Sequence, residues 1–202
     1  MKGLLLKDWY LLCRQMRLIL LLMVVFACLP GLSISAFAVF YAAMLPISML
    51  ASDERSHWED LASMMPCTTG ALVGSKYLLG VLLVLAVSVL STAAQLVTSL
   101  VKATPVSSAA LLSTLIIACL VLLLMSIELP LMFHFGVEKG RLIYILFTCV
   151  FIVSFFSCAD QFIAFLDRTS LPVIMAAAVL LAEAGLGISY PVSVHIYQRH
   201  RR

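Results

Sequence analysis

The sequence predicts an all-α integral membrane protein, and its composition is the first reason. Hydrophobic residues make up 63% of the 202 residues and charged residues only 11%, well below the quarter that is usual in soluble domains. Such a chain has too few polar side chains to cover a globular surface. The second reason is that the apolar residues form long continuous runs, and runs of about 20 residues cross the roughly 30 Å hydrocarbon core of a bilayer as helices.

We expect six membrane helices in a single transmembrane domain over residues 1–202. In the first of them Arg14 and Arg17 must extend their charges to the membrane surface, and in the second Pro46 predicts a kink. A short polar loop over 134–141 is predicted between the fourth and fifth helices. The apolar runs on which the count rests are about 11–29, 32–50, 77–101, 107–133, 142–166 and 171–194.

The first 15 residues have two interpretations. Leu5, Trp9, Leu12 and Met16 recur along one helical face, which is typical of an interfacial helix that lies on the membrane surface. The same segment also fits a simple extension of the first membrane helix. The sequence leaves both interpretations open.

Residues 52–76 form the long polar interruption of the chain. Ser56 and Glu59 fit a capping box, in which the two side chains bond the free amides of a helix start. Pro66 should end that helix, and Thr68 or Thr69 can cap the next one. The segment therefore predicts a short amphipathic helix whose apolar stripe is Trp58, Leu61, Ala62 and Met65.

The orientation follows from the Lys and Arg residues. Eleven of the 13 lie on the same side as the N-terminus, whereas Lys102 and Arg168 lie on the other side. Because Lys and Arg accumulate in cytoplasmic segments, both termini and the 52–76 segment are expected in the cytoplasm. The basic tail 199–202 is expected to anchor the last helix to anionic lipid headgroups, and it does not indicate nucleic-acid binding.

Several chemistries lack a matching motif. The segment 70–76 places three residues between its glycines and no Ser or Thr after Lys76, so it does not fit a phosphate-binding loop. The six cysteines show no metal-ligand spacing and are expected to be free thiols. We therefore expect no metal, no cofactor and no catalytic residue in this chain.

Three acidic residues lie inside the predicted membrane helices, and Asp160 is close enough to the outer end of the fifth to extend its charge outward. Burying an ionised Glu at the centre of a bilayer costs roughly 3 kcal/mol, so such residues usually face protein or water. Glu128 and Glu183 therefore indicate a polar pathway for a cationic or amphipathic substrate. They also fit protonated or hydrogen-bonded carboxyls at a helix interface, and both interpretations stay open.

Two stretches of the sequence resemble a known family. Asp53, Glu54, Trp58 and Pro66, followed by Ser75-Lys76-Tyr77, are similar to the first cytoplasmic loop of type-2 ABC exporter permeases. The narrower similarity is to small six-helix permeases of bacterial antimicrobial and phenol-soluble-modulin peptide exporters. Residues 1–9, MKGLLLKDW, resemble the N-terminus of that family. The chain departs from the pattern where relatives often carry a basic residue soon after the Pro and this sequence has Thr69-Gly70.

The resemblance implies a permease subunit of an ATP-driven exporter in the bacterial plasma membrane. ATP and Mg would be bound by a separate ABC ATPase subunit, present in two copies, and the permease would pair with a second copy of itself. Its substrate would be a peptide or a small amphipathic molecule. The segment 52–76 would be the coupling loop, with contacts to the ATPase from Asp53, Glu54, His57, Trp58, Leu61 and Met65.

Two other functions fit the composition alone. The first is a self-contained ion-coupled carrier that uses Glu128 and Glu183. The second is a structural membrane anchor protein. A dependence of transport on ATP favours the permease, whereas a dependence on the proton gradient favours the carrier.

Overall fold

The computed structural model describes residues 2–28, 32–64, 68–101, 108–157 and 171–200, and these residues are almost entirely helical and contain no strand. This agrees with the predicted all-α class. The helices in chain order are α1 (Lys2–Gln15), α2 (Arg17–Cys28), α3 (Leu32–Arg55), α4 (Trp58–Met64), α5 (Thr69–Val101), α6 (Ser108–Ser157) and α7 (Leu171–His200).

The lengths and compositions of three helical stretches suit a membrane crossing. Within the described residues these are 69–101, 113–137 and 175–199, and α1 with α2 would make a fourth if the bent pair counts as one span. The chain is therefore a membrane-embedded helical protein. The presence of six membrane spans stays a prediction.

The first two helices meet in a sharp bend at Met16. Their axes differ by 81°, and the side chains of Leu12 and Met16 beside the bend belong to the buried hydrophobic core. The 12 residues of α2 extend only about 18 Å, too short for the hydrocarbon core by itself. This geometry fits the interpretation of residues 1–15 as a separate helix and not as a straight extension of α2. Its position on the membrane surface stays a prediction.

The polar segment after the fourth predicted membrane helix contains a kink at which two helices meet. The kink lies at Gly136, with φ 76° and ψ 167°, so the predicted break between the fourth and fifth helices falls within 134–141, but it is a kink at one residue and not a loop of eight residues. A positive φ of this size favours glycine, which has no Cβ to clash. A single residue therefore separates the two helices that α6 comprises.

The starts of α4 and α5 agree with the sequence. The helix α4 begins at Trp58, and the Ala71 amide donates to the Thr68 hydroxyl at 3.3 Å, which confirms Thr68 as the cap of α5. The Ser56 hydroxyl donates to the carbonyl of Asp53 at 3.1 Å. This bond belongs to the last turn of α3 and is not the predicted capping-box bond, in which Ser56 would accept from an amide of α4. The Glu59 side chain lies outside the part of the chain that the structure describes, as do Met65 and Pro66.

The helices α3, α5 and α6 approach one another closely at Gly80. A Cβ built on Gly80 of α5 would lie 2.7 Å from the Met125 sulfur and 2.9 Å from Cγ of Pro46. Small residues allow membrane helices to approach closely. Gly80 therefore sets the distance between α5 and its two neighbours.

We predict that Gly80→Ala destabilises the fold by about 1–3 kcal/mol, because the Met125 side chain can move but the Pro46 ring is fixed in α3. Thermal unfolding in detergent measures the effect. Gly187→Ala is the matched control, since a Cβ there meets no atom within 4 Å. Equal melting temperatures for the two variants would contradict the close approach.

Candidate functional site

Four charged side chains form a buried cluster at one end of the bundle, which we call the ion cluster: Lys7, Asp8, Asp53 and Lys76. The ammonium group of Lys76 donates to Asp8 Oδ1 at 2.8 Å and to Asp53 Oδ2 at 2.6 Å. Lys7 donates to Asp53 Oδ1 at 2.6 Å and lies 3.4 Å from Asp8. Asp8, Asp53 and Lys76 are almost fully buried. Two positive and two negative groups therefore balance one another away from water.

The ion cluster joins three helices that are distant in the sequence. Lys7 and Asp8 are neighbours on α1, Asp53 is in the last turn of α3, and Lys76 is near the start of α5. The Ser75 hydroxyl, which donates to the Leu72 carbonyl at 2.8 Å, lies 3.4 Å from Asp8 Oδ2. Because breaking a buried ion pair leaves an uncompensated charge, these contacts hold α1, α3 and α5 in a fixed arrangement at this end.

Trp58 connects α4 to the ion cluster. The Lys7 ammonium lies 4.0 Å from the centroid of the Trp58 ring, within the range of an attractive cation–π contact. Lys7 thus contacts both the Asp53 carboxylate and the Trp58 ring. The half-buried Trp58 side chain lines a narrow recess together with Lys7, Asp53, Phe133 and Tyr197.

Glu54 connects the end of α3 to the break in α6. Its Oε2 accepts a hydrogen bond from the Val137 amide at 3.1 Å, and a Cβ on Gly136 would lie 3.4 Å from its Oε1. Amides at the start of a helix lack helical partners and favour negative charge. Glu54 therefore stabilises the renewed start of α6 after Gly136, a role that sequence reasoning did not find.

The remaining residues of the predicted coupling loop present an outward surface. His57 has a left-handed backbone, φ 50°, between α3 and α4, and its side chain is exposed. Leu61 and Met64 on α4 are 52% and 83% exposed, whereas Ala62 faces inward. Met65 lies outside the described residues. Leu61 and Met64 thus give α4 an exposed apolar surface beside the half-buried Trp58.

A second polar network lies between α5, α6 and α7. The Tyr77 hydroxyl bonds Ser189 at 2.5 Å and Ser193 at 2.7 Å, and the Ser189 hydroxyl donates to the carbonyl of Ser126. All four residues are buried, and in an apolar environment such bonds hold neighbouring helices together. The network fixes the packing of α7 on α5 and α6.

The two membrane acids lie in different environments. Glu128 of α6 is 1% exposed, and neither of its carboxyl oxygens has a hydrogen-bond partner among the described residues. Glu183 of α7 is exposed. In a single copy of the chain, then, only Glu183 reaches the surface of the helix bundle.

The described residues contain no group of three His, Cys, Asp or Glu side chains that could hold a metal ion. Among the three cysteines described as free thiols, Cys119 is buried, and Cys13 and Cys28 are exposed. The prominent feature of the site is therefore an assembly of ion pairs and helix contacts. Its arrangement suits the transmission of movement between helices.

Sequence reasoning found part of this site. It singled out Asp53 and Trp58, but it expected both to contact the ATPase subunit. It gave Lys7, Asp8 and Lys76 no common role. The signal was present in the sequence, because each of these charges stands beside a long apolar run. The sequence does not show which of these charged side chains contact one another.

The fold and the site define a helical membrane protein in which ion pairs join α1, α3 and α5, and a cation–π contact joins the short helix α4 to them. The chain matches the family described as ABC-2 family transporter protein over residues 3–198. It belongs to that family, and is thus a membrane permease subunit of an ABC transporter that works with an ABC ATPase. Neither the comparison with curated proteins nor that with solved structures gave a match.

Proposed function

We propose that this chain is the permease subunit of an exporter for peptides or small amphipathic molecules, paired with a second copy of itself and driven by two copies of a separate ATPase subunit. Membership of the ABC-2 family supports the permease and the ATPase partner. The observation that carries the mechanism is the ion cluster. Trp58 of α4, the expected ATPase-binding helix, contacts Lys7 of this cluster, and the cluster also binds the long helices α3 and α5.

The proposed docking surface for the ATPase is α4 with the residues that precede it. The half-buried Trp58 and the exposed Leu61 offer apolar contact area, and His57 stands beside them. Large aromatic residues at the centre of an interface often contribute most to binding. Asp53 and Glu54 support this surface from within the chain, since both carboxylates already bind groups of the permease itself.

Movement of α4 would reach the membrane helices through four contacts. Trp58 acts on Lys7, and Lys7 binds Asp53 at the end of α3. Asp53 in turn binds Lys76 at the start of α5, and the neighbouring Glu54 binds the amide of Val137. Closure of the ATPase subunits would thus displace α3, α5 and α6 together.

The proposed pathway runs beside α7 between the two copies. Glu183 lies near the middle of the apolar span 175–199, of which little is buried within one copy. An acid exposed to hydrocarbon is costly, and this favours its contact with a water-filled path or with the second copy. Glu128 would influence the pathway from inside the bundle.

The proposed topology follows the distribution of Lys and Arg residues. The chain would cross the bacterial plasma membrane six times with both termini in the cytoplasm. The ion cluster and α4 would then lie on the cytoplasmic side, where an ATPase subunit binds ATP and Mg. The interfacial helix α1 would rest beside them.

The test is reconstitution in liposomes with the ATPase encoded beside this gene. The permease alone should show no ATP hydrolysis, and the complex should hydrolyse ATP faster when amphipathic peptides are added. ATP turnover by the isolated permease would contradict the proposal. Transport that continues without ATP but stops when the proton gradient is removed would instead identify an ion-coupled carrier, for which the unpartnered, buried Glu128 would be the natural proton site.

We predict that Glu183→Gln leaves expression and assembly unchanged but raises the cationic peptide concentration for half-maximal ATPase stimulation about tenfold. The reason is that a contact between charged groups contributes about 1.5 kcal/mol. Glu128→Gln is the comparison, since that side chain is enclosed within one copy. Unchanged peptide stimulation together with a higher melting temperature of Glu183→Gln would favour a packing role.

A further inference from the structure

A basic recess opens between α6 and α7, next to but separate from the ion cluster. It is lined by His134 of α6 and by His195, Ile196 and Arg199 of α7. Imidazole and guanidinium groups are donors that suit phosphate oxygens. We propose that this recess binds the phosphate headgroup of an anionic phospholipid.

The level of the recess in the molecule supports a lipid. The two apolar spans that form it end at Val137 and at Arg199, so its lining residues lie within the last few positions of both. A group bound there is at the depth of the lipid headgroups. Basic pockets between membrane helices at this depth are typical sites for anionic headgroups.

The surface of α7 below the recess suits an acyl chain. Ile188, Val192, His195 and Arg199 follow one another at spacings of four, three and four residues, which places them on one helical face. Ile188 is 68% exposed and Val192 is also exposed. The face is therefore apolar along the helix and basic at its end, which matches a phospholipid and not a free phosphate ion.

Neighbouring contacts hold the recess open. The rings of Phe133 and Tyr197 meet edge to face with their centroids 5.8 Å apart, and the Gln198 amide donates to the Thr69 hydroxyl at 3.1 Å. These contacts fix the last turns of α7 against α6 and α5. Among the side chains that the structure describes, the acid near Gly136 is Glu54, whose carboxylate accepts from the Val137 amide.

The experiment is native mass spectrometry of the purified full chain in detergent, after equilibration with phosphatidylglycerol or with phosphatidylcholine. We expect one retained phosphatidylglycerol per chain and little retained phosphatidylcholine. Arg199→Gln and His195→Gln should each reduce this retention about fivefold, since a basic group near the membrane surface contributes about 1 kcal/mol. Arg55→Gln removes one exposed positive charge elsewhere and should leave retention unchanged. Melting temperatures of all variants report whether the fold is kept.

Four results would overturn the proposal. The first is equal retention of the two lipids, and the second is an equal loss in Arg55→Gln. The third is displacement of the bound lipid by excess inorganic phosphate, which would identify a site for the free anion. The fourth is unchanged lipid retention in Arg199→Gln together with weaker binding of the ATPase subunit, which would make the recess a protein interface.

Discussion

Replacing Lys76 by Met should lower the free energy of unfolding by about 3–5 kcal/mol, the usual cost of removing one partner from a buried ion pair. Lys76 donates to both Asp8 and Asp53. Without it, two buried carboxylates share the single ammonium group of Lys7. Unfolding in detergent with a chemical denaturant measures the change. The exposed Lys139 lies elsewhere on the chain, and Lys139→Met is the matched control, expected within about 0.5 kcal/mol of the parent.

A double-variant cycle separates the ion pair from the loss of a long side chain. Asp8→Asn removes one of the two charges that Lys76 compensates, so Asp8→Asn with Lys76→Met should cost less than the sum of the single changes. The expected coupling energy is about 0.5–3 kcal/mol. Additive effects would show that the Asp8–Lys76 pair contributes nothing to stability and would remove the basis for connecting α1 to α5 through it.

Replacing Trp58 by Ala should weaken binding of the ATPase subunit at least about tenfold, or roughly 1.4 kcal/mol, while the permease stays folded. The ring is half buried, so part of its surface serves the Lys7 contact and part faces outward beside the exposed Leu61. Pull-down affinity at two ionic strengths measures the effect. Trp9→Ala is the control, because it removes the same side chain from a position on α1 that is 53% exposed.

Unchanged ATPase binding by Trp58→Ala would mean that α4 is not the docking helix. A loss of binding accompanied by a fall in the melting temperature would point to the internal contact with Lys7 instead. Charge reversal at Asp53 and Glu54 is a poorer test of docking, because Asp53 belongs to the ion cluster and Glu54 caps the renewed helix at Val137. Those reversals would disturb the permease before they reached a partner.

The helical membrane class was predictable because it depends on properties that add along the chain. Hydropathy marks the long helices, and the start of α5 follows from a local rule, the hydroxyl cap of Thr68. The ion cluster depends instead on contacts between residues that are far apart in the sequence. Lys7 and Asp53 are separated by 46 positions, and Asp8 and Lys76 by 68. No local pattern determines which of several isolated charges will meet.

The kink at Gly136 shows why the sequence predicted the place of the break but not its form. The segment 134–141 is polar, and polar residues between two apolar runs usually form a turn. Here Glu54, from a helix more than 80 positions earlier, binds the Val137 amide, and Gly136 supplies the positive φ. A distant carboxylate thus replaces the loop, and such a partner is not visible in the segment itself.

The ion cluster also constrains the order in which the chain can mature. Lys7 and Asp8 leave the ribosome first, but Asp53 and Lys76 follow only after the next two membrane segments have been made, since domains form from the N-terminus during synthesis. Until then Lys7 and Asp8 have only each other as counterions, so we expect α1 to stay at the membrane surface as an interfacial helix with both charges in water. Docking of α1 on the bundle would therefore follow the insertion of α5, which carries Lys76. A fusion partner that holds the N-terminus away from the membrane should therefore delay the docking of α1 but not the insertion of the membrane helices.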